Sequence, residues 1–239
     1  MAFPERKSPR KNKDDPVFDG RSVDVDHASN KLGTSKKAVR EVVRAAKSAL
    51  SDLILRRLGD RPQADRSPTA TSLGLLQAAF GRGPRGGAVN ATAAASALAV
   101  SPGTIRRWVS GTQKPSVENL TALRTAARRV TSTKRGRKTV TDAFRNSAIG
   151  KDALRRGTII WVYAFQGPPA VEEDNESNYS RDRTIYHHIS PDDVKAMLAA
   201  YERGGEAGFR DWLNDMGRKY MQGDPWEFTD IYDFGFESR

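Results

Sequence analysis

The residues best placed to do chemistry lie in one run, NATAAASALAVSPGTIRRWVSGTQKPS, at positions 90–116. Ser101 can accept the N–H bonds that open a helix, and Pro102 suits the first helical position, where an N–H has no partner. Ile105 and Trp108 stand three apart, so they share a face and pack inward with Val100. Gly103, Thr104, Arg106 and Arg107 are left facing outward. An outward arginine can bridge O6 and N7 of guanine, which singles out Arg107 as the base reader; Thr104 can meet a base edge or a thymine methyl. Pro102 and Gly103 offer little hydrogen-bonding chemistry, so discrimination by this run alone is modest. Arg106, Gln113 and Lys114 suit phosphate contacts, which position a protein rather than specify a sequence. The expected DNA-facing set is therefore Ser101, Gly103, Thr104, Arg106, Arg107, Gln113 and Lys114. Lys134, Arg135 and Arg137 of the run TSTKRGRK join it, as a basic linker or a segment lying in a minor groove.

These side chains need two short helices at a fixed angle. Asn90 can cap the first, which carries Ala94, Ala95 and Leu98 inward; Ala99 and Val100 make the turn; Gly111 closes the second. A third helix over 116–130 has Glu118 near its positive end and Arg128 and Arg129 near its negative end. The small-residue run, the Val-Ser before the second helix, the Ile-x-x-Trp pair and the Gly-x-x-Lys-Pro exit resemble the helix-turn-helix of phage-repressor-like regulators, over 90–111. The resemblance implies that the second helix enters the major groove with its N-terminal turn leading. The turn usually carries glycine; Ala99 fits there if positive φ is not required.

The charge distribution agrees with a polyanion partner at the front of the chain. The 239 residues carry a net +11, but positions 1–138 hold +17 and positions 139–239 hold −6. Counterion release would draw the basic part to nucleic acid. Residues 1–33 are rich in Lys, Arg, Asp and Pro without periodicity and read as a disordered basic arm. Residues 34–138 read as a helical DNA-binding domain, beginning with a helix over 35–58, and 139–239 as a small acidic α+β domain. The fold class expected is α+β, with the all-α helix-turn-helix part first. With no cysteine, disulfides, thiolate metal sites and a cysteine nucleophile are excluded. No apolar run approaches the length of a membrane span and the start lacks a secretory core, so a cytoplasmic, nucleoid-associated protein is expected. The Gly-rich run GRGPRGG lacks the Gly-Lys-Ser/Thr of a nucleotide-binding loop and reads as a flexible loop near DNA backbone.

In the acidic part a helix over 140–156 precedes a strand over 157–167, a polar loop, and a strand over 183–189. Ser190 and Pro191 then open a helix, a second helix follows, and the chain closes on a strand. His187 and His188 point to opposite faces of a strand and do not share a metal. Asp224, Glu227, Asp230 and Asp233 read as a charged strand edge rather than a Mg²⁺ site. No metal site, cofactor or catalytic constellation is expected.

This order of elements, with Ile-Ser-Pro before Asp192-Asp193-Val194, the helix ending Tyr201-Glu202, the Lys219-Tyr220-Met221 run and the closing Glu227-Phe228-Thr229-Asp230-Ile231-Tyr232, is similar to the terminal proteins that cap linear actinomycete chromosomes and plasmids. The similarity spans about residues 70–236. It implies a protein attached covalently to a DNA 5′ end, whose Ser, Thr or Tyr hydroxyl carries the first deoxynucleotide and primes end-patching synthesis. Exposed hydroxyls in or beside the loop NESNYSRDRT, namely Tyr179, Ser180 and Thr184, are the candidates, with Thr158 a less accessible competitor. The chain would then be a primer rather than a catalyst, with duplex or folded single-stranded DNA ends, a DNA polymerase and a helper DNA-binding protein as partners. The alternative is a plasmid or phage transcription regulator or replication factor that uses the same helix-turn-helix without covalent attachment.

Overall fold

The computed structural model describes residues 50–168, 180–222 and 225–237; the expected basic arm, the first part of the 35–58 helix, Tyr179 and Asp224 lie outside them. The fold is α+β, with helices first and a three-stranded sheet in the second half. Helix α1 is Leu50–Arg57, α2 Ser72–Phe80, α3 Ala91–Leu98, α4 Pro102–Ser110, α5 Val117–Ser132, α6 Lys134–Asn146 and α7 Ala148–Arg156. Strands β1, Thr158–Gly167, and β2, Arg181–Ile189, are followed by the long helix α8, Pro191–Tyr220, and by β3, Glu227–Glu237.

Side-chain caps set most helix starts. Thr71, Asn90, Ser101, Ser116, Thr133, Ser147 and Ser190 each accept an N–H from the first turn they precede. At Ser190 the cap is reciprocal, because the Asp193 carboxylate accepts from the Ser190 N–H. Two caps change the sequence reading. Ser147 divides the helix expected over 140–156 into α6 and α7. Thr133 opens α6 inside the run expected to be a linker, so Lys134, Arg135 and Arg137 are helical. Gly136 serves this junction: a Cβ there would lie 2.5 Å from the Val130 carbonyl oxygen, so α6 crosses the end of α5 at a distance only glycine permits. The run is therefore the start of a packed helix, rather than a plain basic linker or an extended minor-groove segment.

The sheet order is β2-β1-β3, all antiparallel, so the last strand pairs with the first. Ile160, Val162 and Ala164 of β1 and Phe234 of β3 are fully buried, and α8 packs on β2 and β3. α8 breaks at Gly205, whose φ of 63° and ψ of −138° only glycine adopts freely, giving the two helices expected here. The second arm returns beside the first, and Lys219 Nζ meets Asp193 Oδ1 at 2.9 Å. Position 138/139, where the charge balance changes sign, falls inside α6, and buried residues from both sides join one hydrophobic core. The charge change is therefore a change of surface rather than a break in packing. Among the described residues no helix is long and apolar enough to cross a membrane, and no three His, Asp or Glu side chains gather as a metal-binding group.

The turn between α3 and α4 corrects one expectation. Ala99 has φ 52° and ψ 41°, so the turn does require a left-handed residue and alanine occupies it. Its N–H closes α3 by donating to the Ala95 carbonyl. Such a conformation costs an L-residue about 1–2 kcal/mol, partly offset by the greater unfolded-state entropy of glycine. Ala99 is exposed, so removing its methyl sacrifices little packing. Ala99→Gly is expected to raise stability by about 0.5–1 kcal/mol, read as an increased urea midpoint. A lower midpoint would mean that the alanine methyl does something the backbone angles do not reveal.

Candidate nucleic-acid interface

α3 and α4 form the expected pair of helices. Asn90 caps α3 and Ser101 caps α4, the latter by accepting the Thr104 N–H at 3.0 Å. Pro102 takes the first position of α4, and Gly111, with φ 76°, ends it. Ile105 and Trp108 are the two buried residues of α4 and fasten it against α2 and α3. Arg106 and Arg107 are exposed, as are Gln113 and Lys114. Gly103 is half-buried, and a Cβ there would touch only Ser101 Oγ, at 3.5 Å. No neighbour in the fold requires glycine at that place, and the first turn of α4 is left bare.

The outward side chains form a hydrogen-bonded row. Ser101 Oγ and Thr104 Oγ1 are 3.0 Å apart, and Arg107 Nη2 donates to Thr104 Oγ1 at 3.1 Å. Arg107 Nε donates to Gln113 Oε1 at 2.9 Å. The Arg107 carbonyl also accepts from Ser110 Oγ, Thr112 Oγ1 and the Gln113 N–H. Of the residues expected to face DNA, Ser101, Thr104, Arg107 and Gln113 are thus brought together. The Gln113 amide oxygen accepts from Arg107, which leaves its NH₂ end as the donor for the phosphate contact expected. The Thr104–Arg107 contact follows from helical spacing; the Gln113 contact depends on a left-handed turn at Gly111 and has no sequence signal.

The chain matches no family model, no curated protein and no solved structure.

The remaining basic residues divide. Lys134 and Arg135 are exposed at the start of α6. Arg137 turns inward: Nε donates to the Glu202 carbonyl at 2.9 Å, Nη2 to Arg203 at 3.0 Å, and Nη1 to Ser132 at 3.1 Å and Thr131 at 3.3 Å. It is a structural cation and leaves the DNA-facing set. Arg145, also on α6, bonds the Glu202 carboxylate at 2.7 Å. Burial would raise the Glu202 carboxyl, but hydrogen bonds from Thr141 and Arg145 outweigh it and hold the group below the usual Glu range. Sequence reasoning missed a further inward cation, Arg61, which is 3 % exposed and donates from Nη1 to the Ala78 carbonyl. Desolvation lowers its pKa to about 10. The run GRGPRGG, expected as a flexible loop, contains a 3₁₀ turn over Pro84–Gly86.

The hydroxyl candidates separate equally clearly. Thr184 lies within β2, opposite Tyr163 in the ladder, consistent with the strand expected over 183–189, so it is beside the loop and held by the sheet. Thr158 is buried and donates to the Glu237 carbonyl at 2.6 Å. Ser180 is half-buried just before β2, and its Oγ donates to the Pro168 carbonyl at 3.3 Å. Tyr179 is outside the described residues.

Proposed function

We propose that this chain is a DNA-binding protein that reads duplex DNA with α4 in the major groove. The observation that carries the reading is the division of α4 into two faces. Ile105 and Trp108 anchor it, while Arg107 stands exposed with its guanidinium held by Thr104 and Gln113. A helix with that division presents charged donors to a groove at little ordering cost. Gly103 supports the reading, since a bare first turn allows DNA to approach closely. Arg106, Lys114, Lys134 and Arg135 are exposed cations suited to phosphates.

The role proposed on that DNA is the capping of linear replicon ends, on the strength of the similarity to terminal proteins. In that role Ser180 is the described candidate outside the sheet strands, since Thr184 and Thr158 lie within them, and Tyr179 stays a candidate on its sequence position alone. The acidic surface of the second half is left for protein partners, a polymerase and a helper DNA-binding protein.

Two measurements test these readings. Arg107→Ala is expected to weaken binding to the preferred duplex by about 1–3 kcal/mol and to relax preference at one base pair. Neutralising Lys134 and Arg135 should weaken all sequences alike and reduce the salt slope by about one for each phosphate no longer neutralised. Equal losses on preferred and random duplex for Arg107→Ala would refute base reading by this residue. For the end-capping role, DNA ends from cells are washed in detergent and salt, digested and examined by mass spectrometry. A peptide containing Tyr179 and Ser180 that carries a nucleotide is expected; protein removed by washing would favour the regulator instead.

A further inference from the structure

A guanidinium has five N–H donors in a rigid plane. Nε and the nearer hydrogen of Nη2 lie along one edge of that plane, and the outer hydrogens of Nη1 and Nη2 form the terminal edge. In this structure Nε and one hydrogen of Nη2 are engaged. Arg107 Nε donates to Gln113 Oε1 at 2.9 Å and Nη2 to Thr104 Oγ1 at 3.1 Å. The amide of Gln113 has only one orientation compatible with this contact, since its NH₂ end would oppose an N–H. Gln113 is itself fixed, because its backbone N–H donates to the Arg107 carbonyl at 3.3 Å. Ser110 Oγ and Thr112 Oγ1 reach the same carbonyl, which ties the loop after α4 to the residue it orients. Thr104 is held in turn by Ser101 Oγ at 3.0 Å.

We propose that Gln113 is a positioning residue for sequence recognition. With Thr104 it closes one edge of the Arg107 guanidinium, so that only the terminal Nη1/Nη2 edge is offered to a base. That pair of parallel donors matches the O6 and N7 acceptors of guanine and no other base edge in the major groove. The ligand named is therefore a duplex site with guanine at the position Arg107 meets. Without Gln113 the arginine has both edges and many rotamers available, and the ordering cost returns at binding. The assignment rests on the DNA-binding reading above.

The test uses the full chain. A preferred duplex is selected from a random pool, and dissociation constants are measured on it and on the three single-base alternatives at the position that Arg107→Ala makes indifferent. Gln113→Ala is expected to reduce the preference for guanine at that same position by about 2–12-fold, the span set by immobilising one long side chain. Gln113→Glu keeps an acceptor for Nε, so it should retain the preference while its charge weakens all four duplexes alike. If Gln113→Ala lowers affinity for all four by one common factor, the residue contacts phosphate and the proposal fails. It fails also if Gln113→Ala leaves the preference intact. A wild-type chain that binds no duplex overturns the DNA-binding reading itself, and this assignment with it.

Discussion

Arg137→Ala is expected to lower the stability of the chain by about 2–4 kcal/mol. The reason lies in which carbonyls it serves. Thr131 and Ser132 end α5, and Glu202 and Arg203 end the first arm of α8, just before the break at Gly205. The last carbonyls of a helix lack intrahelical partners, and the C-terminus carries partial negative charge. One guanidinium answers both needs for two helices at once. Each hydrogen bond to a charged group is worth about 1.5–3 kcal/mol, but the four share one side chain and water reaches part of the site, so they do not add. Arg137→Lys should recover little, because an ammonium offers its donors from a single point and does not span two helix ends. Urea unfolding followed by circular dichroism measures both variants. A loss below about 0.5 kcal/mol for alanine would show that water satisfies these carbonyls equally well. Were Arg137 instead a DNA contact, the stability would hold and the salt slope of binding would fall.

The contrast between Arg137 and Arg107 shows what a sequence makes legible. Both stand in basic runs, and composition marks both as DNA-facing. Arg107 sits three residues after Thr104 and between two apolar anchors, so local periodicity alone places it outside. Two of Arg137's four carbonyl partners, Glu202 and Arg203, lie about 65 residues away, and no local pattern reports them. The same limit explains the other revisions. Capping residues are local, so Asn90, Ser101, Ser116 and Ser190 mark helix starts correctly from sequence. Thr133 and Ser147 follow the same chemistry, but the basic run and the continuing apolar pattern conceal them. The strands are legible from β-branched and aromatic density. Their order is less so, since pairing of β3 with β1 crosses the whole of α8. Within the interface, Thr104 and Arg107 follow from spacing, whereas Gln113 enters through a left-handed turn at Gly111. β2 begins two residues earlier than the strand expected over 183–189, at Arg181, which draws the end of the polar loop into the sheet.

Trp108→Ala is expected to cost about 3–5 kcal/mol and, on the DNA-binding role proposed above, to remove sequence preference under conditions where the rest of the chain stays folded. α4 has nine residues, and a helix this short has no stability of its own in water. Its position depends on Ile105, fully buried, and Trp108, 3 % exposed. A tryptophan buries about 150–250 Å², so its loss removes most of the apolar area by which α4 adheres to α2 and α3. Arg107 would then keep its local partners but lose a fixed place relative to the groove, and specific affinity should fall more than non-specific affinity. Trp108→Phe separates packing from polarity. Trp108 Nε1 is buried with no hydrogen-bond partner among the described residues, so phenylalanine gives up some volume while removing an unsatisfied donor. A loss under about 1.5 kcal/mol with binding retained is expected for that variant. Thermal unfolding gives the stability of both, and duplex titration below the transition gives the affinities. If Trp108→Ala folds and still prefers its duplex by the wild-type ratio, then the caps at Ser101 and Gly111 position α4 without the indole, and the two-faced division of this helix does not carry recognition.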